Sequence, residues 1–245
     1  MSEINASSRR LPENGIEKQK GINTMITLYA LKQSRAYRIA WLLELLGLEY
    51  RAEVIARDAE TALAPDSLRR IHPLGKSPLI DDNGLVLAES GAIIEYLITR
   101  YGQETALKPP TDSPVYPDYL FWLHYAEGSL MPLLVMSLVF RKIETRKMPF
   151  FVKPVARKIV EGVRAGFLNP QLKRHLEFVE SKLAGRSWLL GDALSAADVM
   201  MSFPLQAAVS RTTLDLPNIA AYVRRIEADP AWQRAEKRIG KLELL

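Results

Sequence analysis

The 245-residue sequence predicts a small α/β domain followed by an all-helical one, and three observations carry that prediction. Short β-prone runs alternate with helix-spaced leucines and isoleucines as far as Gly102. A proline-rich stretch, Pro109-Pro110-Thr111-Asp112-Ser113-Pro114, then reads as a linker. Beyond it only amphipathic helical periodicity recurs. The boundaries drawn from these signals are 25–103, 104–114 and 115–245. Residues 1–24 hold Arg9, Arg10, Lys18 and Lys20 against Glu3, Glu13 and Glu17, with few apolar residues, and read as a disordered leader.

The elements follow in order. Met25-Ile26-Thr27-Leu28-Tyr29-Ala30 is a strand. After it Ile39, Leu42, Leu43 and Leu46 mark one helical face, which Gly47 closes as a C′ residue. Tyr50 to Ile55 forms a second strand. Pro78-Leu79-Ile80-Asp81 and Leu85-Val86-Leu87 flank Asp82-Asn83-Gly84, whose Asn-Gly pair is a strong hairpin signal. A helix opens near Ser90, with Ile93, Ile94 and Leu97 on its inner face. Helices are then expected over Val115–Arg146, Phe151–Gly166, Asn169–Leu183, Ser195–Val209 and Pro217–Ala228. Ser195-Ala196-Ala197-Asp198 has the spacing of a capping box.

Composition narrows the function. The absence of cysteine excludes disulfides, thiolate metal sites and cysteine nucleophiles, so no metal is expected. The formal charge of +5 is read as lysines and arginines spread along helices, a solvated surface with no nucleic-acid partner. The apolar run Leu130 to Phe140 contains Pro132 and is short of the roughly 20 residues that span a bilayer. No membrane span is expected, no export signal is read in the leader, and the expected location is cytoplasmic.

Three local features bear on chemistry. Ser34-Arg35-Ala36-Tyr37-Arg38 lies where the first strand meets the first helix; unpaired N–H groups and the helix dipole there favour a thiolate, to which Ser34 can donate. In His72-Pro73-Leu74-Gly75-Lys76-Ser77-Pro78, a cis Ser77-Pro78 bond turns the Ser77 backbone outward to pair with an extended peptide, and Lys76 can meet a carboxylate. Glu89-Ser90 offers an acid for an ammonium beside a helix start that binds a carboxylate. Taken singly, each has a plainer reading as cap, turn or surface charge. Taken together they complement one molecule, glutathione, with its thiol, peptide backbone, ammonium and free carboxylates.

The sequence also resembles a family at these places. Ser34-Arg35-Ala36-Tyr37-Arg38-Ile39-Ala40-Trp41-Leu42-Leu43-Glu44, His72 to Pro78, Leu87-Ala88-Glu89-Ser90-Gly91-Ala92-Ile93-Ile94 and Ser195 to Asp198 resemble cytosolic glutathione S-transferases, in the branch with Ser-Arg-Ala-aromatic-Arg at the first helix. The resemblance implies an α/β thioredoxin-like N-terminal domain, an all-α helical-bundle C-terminal domain and a homodimer. It implies glutathione as co-substrate, with Ser77 pairing with the cysteinyl backbone, Glu89 and Ser90 holding the γ-glutamyl end, and Lys76 near a carboxylate. A small hydrophobic electrophile or peroxide would lie between the domains, with Phe121, His124 and Tyr125 as candidate neighbours. Phe121 and Tyr125 share a helical face and are equally read as core or dimer aromatics; His124 and His72 are read as structural. The catalytic hydroxyl departs from the family pattern: counting back from Arg35 reaches Leu31, which has none. Ser34, Tyr29 and the helix-start amides all stay open as thiol activators, and a binding or regulatory module with little turnover stays open as the rival function.

Overall fold

The structure, a computed structural model, describes residues 25–244; the leader read at 1–24 lies outside the described residues. Four strands, β1 (Ile26–Leu31), β2 (Tyr50–Ile55), β3 (Leu79–Asp82) and β4 (Leu85–Ala88), form one sheet in the order β2-β1-β3-β4. The β1–β2 pair is parallel, with α1 (Ala36–Leu45) as the crossover; β1–β3 and β3–β4 are antiparallel. A short helix α2 (Ser67–Ile71) precedes β3, and α3 (Ser90–Tyr101) follows β4. This is a thioredoxin-like arrangement.

Local chemistry explains the turns. Asn83 and Gly84 take φ of 55° and 87°, the positive pair that a two-residue hairpin loop requires, and Asp82 pairs with Leu85 across it. Gly47, at φ 62°, donates to the Glu44 carbonyl while Leu48 N–H reaches Leu43 O, so the last carbonyls of α1 are satisfied as a Schellman motif.

The second domain is helical: α4 (Tyr116–Tyr125), α5 (Met131–Thr145), α6 (Lys153–Val163), α7 (Asn169–Leu183), α8 (Ala196–Arg211), α9 (Pro217–Ala228) and α10 (Pro230–Ile239). Two π-helical turns, Ala126–Leu130 and Arg164–Leu168, join α4 to α5 and α6 to α7. Each precedes a proline, Pro132 or Pro170, that lies four residues after Gly128 or Gly166. A proline ring lacks the N–H and crowds the carbonyl four residues back, which widens the turn without ending the helix. The expected helix Val115–Arg146 is therefore one long rod with a bulge. The sequence reading measured only Leu130–Phe140 within it; the whole rod, Tyr116–Thr145, is long and apolar enough to cross a membrane by length and composition alone. In this fold Tyr119, Trp122, Leu123, Leu130 and Met131 are buried, and the rod packs on α8.

The core runs through both domains. Nine consecutive residues of α1, Ala36 to Glu44, are buried between the sheet, α8 and α10. Trp41 donates its Nε1–H to Asp229 at 3.0 Å and meets Trp232 edge-on. Asp229 also caps α10 through Ala231 and Trp232 N–H, so one carboxylate ties the C-terminal helix to the first domain.

One expectation about charge is overturned. Lysines and arginines are not evenly spread: residues 141–164, the α5–α6 hairpin, hold eight basic residues against two acidic ones, a net +6. The chain as a whole carries +5, so the rest is close to neutral.

Candidate functional site

Lys76, Ser77, Glu89 and Ser90 converge on one cleft of about 260 Å³, which Arg35 and Glu127 also line. Gly75 takes φ 56° just before Lys76, and a Cβ there would lie 2.6 Å from the Arg69 side chain, so only glycine brings this loop round. The Ser77–Pro78 bond is cis. Ser77 Oγ stitches the loop to β1, donating to Tyr29 O and accepting from Leu31 N, each at 3.0 Å. Among the described residues the Ser77 backbone N–H and C=O have no hydrogen-bond partner, which leaves an open peptide edge at the cleft.

Ser90 begins α3 and is 3% exposed, yet its hydroxyl has no protein partner among the described residues. The first N–H groups of α3 open at the same place, where an anion is favoured. Glu89 sits at φ 70°, ψ 122°, a conformation that non-glycine residues rarely take and that costs about 1–3 kcal/mol. Glu89 lines the cleft, and its carbonyl accepts from Ile93 N–H at 2.9 Å.

The opposite wall was not legible as a site. Glu127, in the first π-helical turn, accepts both from Arg35 Nε at 2.9–3.0 Å and from Arg38 Nη1. Arg38 is fully buried, with its guanidinium 5.7 Å from the Phe203 ring centre. Burial pulls the Arg38 guanidinium down to about 10, against the opposing pull of Glu127. Burial also pushes the Glu127 carboxyl up, but the Arg38 and Arg35 charges outweigh it and hold Glu127 below its ordinary value. The pair bridges the domains, leaves Arg35 facing the cleft, and fixes the start of α1 beside it.

The remaining predicted residues lie elsewhere. Ser34 is buried, and its hydroxyl accepts from Ala36 N–H at 3.2 Å, a local helix-start contact. Tyr29 packs with a small cluster around Leu31, Leu68 and Leu79; burial, then Glu53 and Asp81, raise its phenol above the ordinary value. Neither side chain lines the cleft of Lys76 and Glu89. Phe121 stacks on Tyr125 at 5.2 Å and meets Phe178 of α7 at 5.8 Å, and the Tyr125 hydroxyl lies 2.8 Å from His175 Nδ1. These aromatics form a seam between α4 and α7, outside the lining of that cleft. His124 is exposed and has no hydrogen bond among the described residues. His72 does act locally, accepting from Leu74 N–H at 3.4 Å.

Among the described residues no group of three or more His, Cys, Asp or Glu side chains is placed to hold a metal. Family comparison matches the glutathione S-transferase N-terminal domain over residues 24–99 and the glutathione S-transferase C-terminal domain over 161–225. Glutathione S-transferase 1 of Saccharomyces cerevisiae is 33% identical over 228 residues, covering 89% of this chain and 97% of its own length. A crystal structure of a glutathione S-transferase from Actinobacillus pleuropneumoniae has 37% identity and a TM-score of 0.76, over 89% of this chain and 95% of that one. A glutathione transferase homolog from Lodderomyces elongisporus, solved with two GSH per subunit, shares the fold at 24% identity and TM-score 0.68, over 87% and 98% of the two chains. With matches to both halves and a third of residues shared across nearly the whole chain, this protein belongs to the glutathione S-transferase family.

Proposed function

We propose that the protein binds glutathione in the cleft between Lys76, Ser77, Glu89 and Ser90, and promotes attack of its thiolate on an electrophile or peroxide. One observation carries this reading: four residues from two separate stretches of sequence meet at one cleft, and among the described residues the Ser77 backbone and Ser90 hydroxyl there lack protein partners. Glu89 takes the α-ammonium, Ser90 and the α3 amides the γ-glutamyl carboxylate, and Lys76 a second carboxylate. The cysteinyl backbone pairs with Ser77, which directs the thiol toward the start of α1. There Arg35 and the helix dipole favour the thiolate.

Truncating either end-group contact should be felt in affinity. Ser90→Ala and Glu89→Ala are each expected to weaken glutathione binding by about 1–3 kcal/mol, because the ligand group is left unpaired in a partly enclosed site. Glu89→Gly should lose the same affinity while keeping or gaining stability, since glycine adopts a positive φ without penalty. Isothermal titration alongside urea melts reads both. Unchanged affinity in all three variants would remove this cleft from consideration.

A second reading, a binding or regulatory module with little turnover, is favoured by one fact: neither the Ser34 nor the Tyr29 hydroxyl lines the cleft. Ser34→Ala separates the two. If Ser34 activates the thiol, the pKa of bound glutathione, followed by thiolate absorbance, rises and kcat falls. If it is only a helix-start residue, both stay put and stability drops by about 0.5–2 kcal/mol. Calorimetric titration with glutathione, followed by a general electrophile and a peroxide, tests the whole proposal. Binding with turnover supports the enzyme, binding without turnover the module, and no binding neither.

A further inference from the structure

The α5–α6 hairpin carries a surface that the glutathione cleft does not use. Val155 and Ile159, one turn apart on α6, are 58% and 61% exposed, and Phe151 in the turn leading into the helix is 66% exposed, so α6 and its approach present an apolar stripe to solvent. Phe150 adds to it at 87% exposure, packed edge-on against Phe151 at the tip. The stripe is flanked by exposed cations: Lys153, Arg157 and Lys158 from α6, and Arg146 and Lys147 just before the tip. The two acids of the segment are already occupied, Glu144 by Arg164 and Glu161 by Arg157. Between the helices lies a groove of about 440 Å³, lined among others by Ile143, Met148, Phe150, Lys153 and Arg157.

We propose that this hairpin tip docks the protein on an anionic phospholipid surface, with Phe150, Phe151, Val155 and Ile159 entering the interface and the surrounding lysines and arginines meeting lipid phosphates and carboxylates. Charge selects this occupant. A second copy would set one +6 segment against another, which like-charge repulsion opposes. An anionic bilayer complements both the basic rim and the aromatic stripe, the combination by which surface-lying helices hold to membranes. Nucleic acid would satisfy the cations but leave the exposed stripe in water. The contact is peripheral, and it does not depend on the glutathione reading.

Flotation of the full-length protein with phosphatidylcholine vesicles, with and without phosphatidylserine, tests this. Binding is expected only with phosphatidylserine, and it should weaken as salt is raised. The pair Phe150→Ser and Phe151→Ser should reduce partitioning roughly tenfold or more, as should Lys153→Glu with Lys158→Glu. All four positions are exposed and remote from the cleft lining, so the urea midpoint and glutathione affinity serve as folding controls. Absence of flotation overturns the proposal, as does flotation that both variant pairs leave intact. Heparin retention without vesicle binding assigns the surface to a polyanion instead. A sedimenting dimer that the phenylalanine pair dissociates, without vesicle binding, assigns it to a second copy.

Discussion

Glu127→Ala should lower the stability of this protein by about 3–5 kcal/mol, read as a large fall in urea midpoint. The reason lies in what the substitution leaves behind. Arg38 has a fully buried side chain, and Glu127 is its only acidic partner among the described residues. Its Nε and Nη2 already lack hydrogen-bond partners among the described residues, so removing the carboxylate strands the entire charge. Arg35 shares the same carboxylate, but its side chain is 34% exposed and water can take over its solvation. Arg35→Ala should therefore cost only about 0–1 kcal/mol. Replacing both buried partners, Glu127→Ala with Arg38→Met, should recover most of the loss, because a well-packed apolar pair need not be worse than a buried ion pair. A double variant as unstable as Glu127→Ala alone would mean that Glu127 acts through the π-helical turn and not through Arg38.

Much of the first domain was legible because its signals are local. Asn83-Gly84 demands positive φ at both residues, and Gly47 ends α1 where the leucine face stops. The four residues that meet at the cleft of Lys76 and Glu89 were singled out for the same reason: each belongs to a short stretch whose backbone role can be stated from the sequence. The far wall lacks such a stretch. Arg35 and Glu127 are 92 residues apart, and no periodicity relates a loop-to-helix junction to a bulge inside a later helix. Spacing also set Phe121 and Tyr125 on one face of α4 without saying which face turns to α7. The sequence reading passed over α10 because its buried residues, Ala231, Trp232, Ala235 and Ile239, are sparse among charges, and its stability comes from docking on α1. The basic hairpin was missed because lysines and arginines were weighed along the whole chain and not segment by segment, although residues 141–164 are contiguous.

Asp198→Ala should cost about 3–5 kcal/mol as well, through hydrogen bonds instead of an ion pair. Asp198 is fully buried three residues into α8, and its two oxygens accept from four donors. Oδ1 takes Leu189 N–H at 2.9 Å and the Tyr222 hydroxyl at 3.1 Å; Oδ2 takes Ser195 N–H and Oγ–H, each at 2.8 Å. The reach back to Ser195 is the acidic arm expected of the capping box, while the contacts to Leu189 and Tyr222 extend it to the preceding loop and to α9. Alanine leaves two buried backbone N–H groups without an acceptor. Asp198→Asn keeps one oxygen but turns an NH₂ toward donors, so about 1–3 kcal/mol is expected. Burial pushes the Asp198 carboxyl up from 3.8 to about 6. Between those values the folded chain holds a proton that the unfolded chain has released. The stabilisation from that shift is therefore complete below about 3.8 and is lost as pH rises through about 6. The difference in unfolding free energy between the parent and Asp198→Ala should accordingly be smaller at about pH 7.5 than at about pH 5. A difference constant across that range would reject the titration argument and keep the hydrogen-bond one. A variant as stable as the parent would reject both.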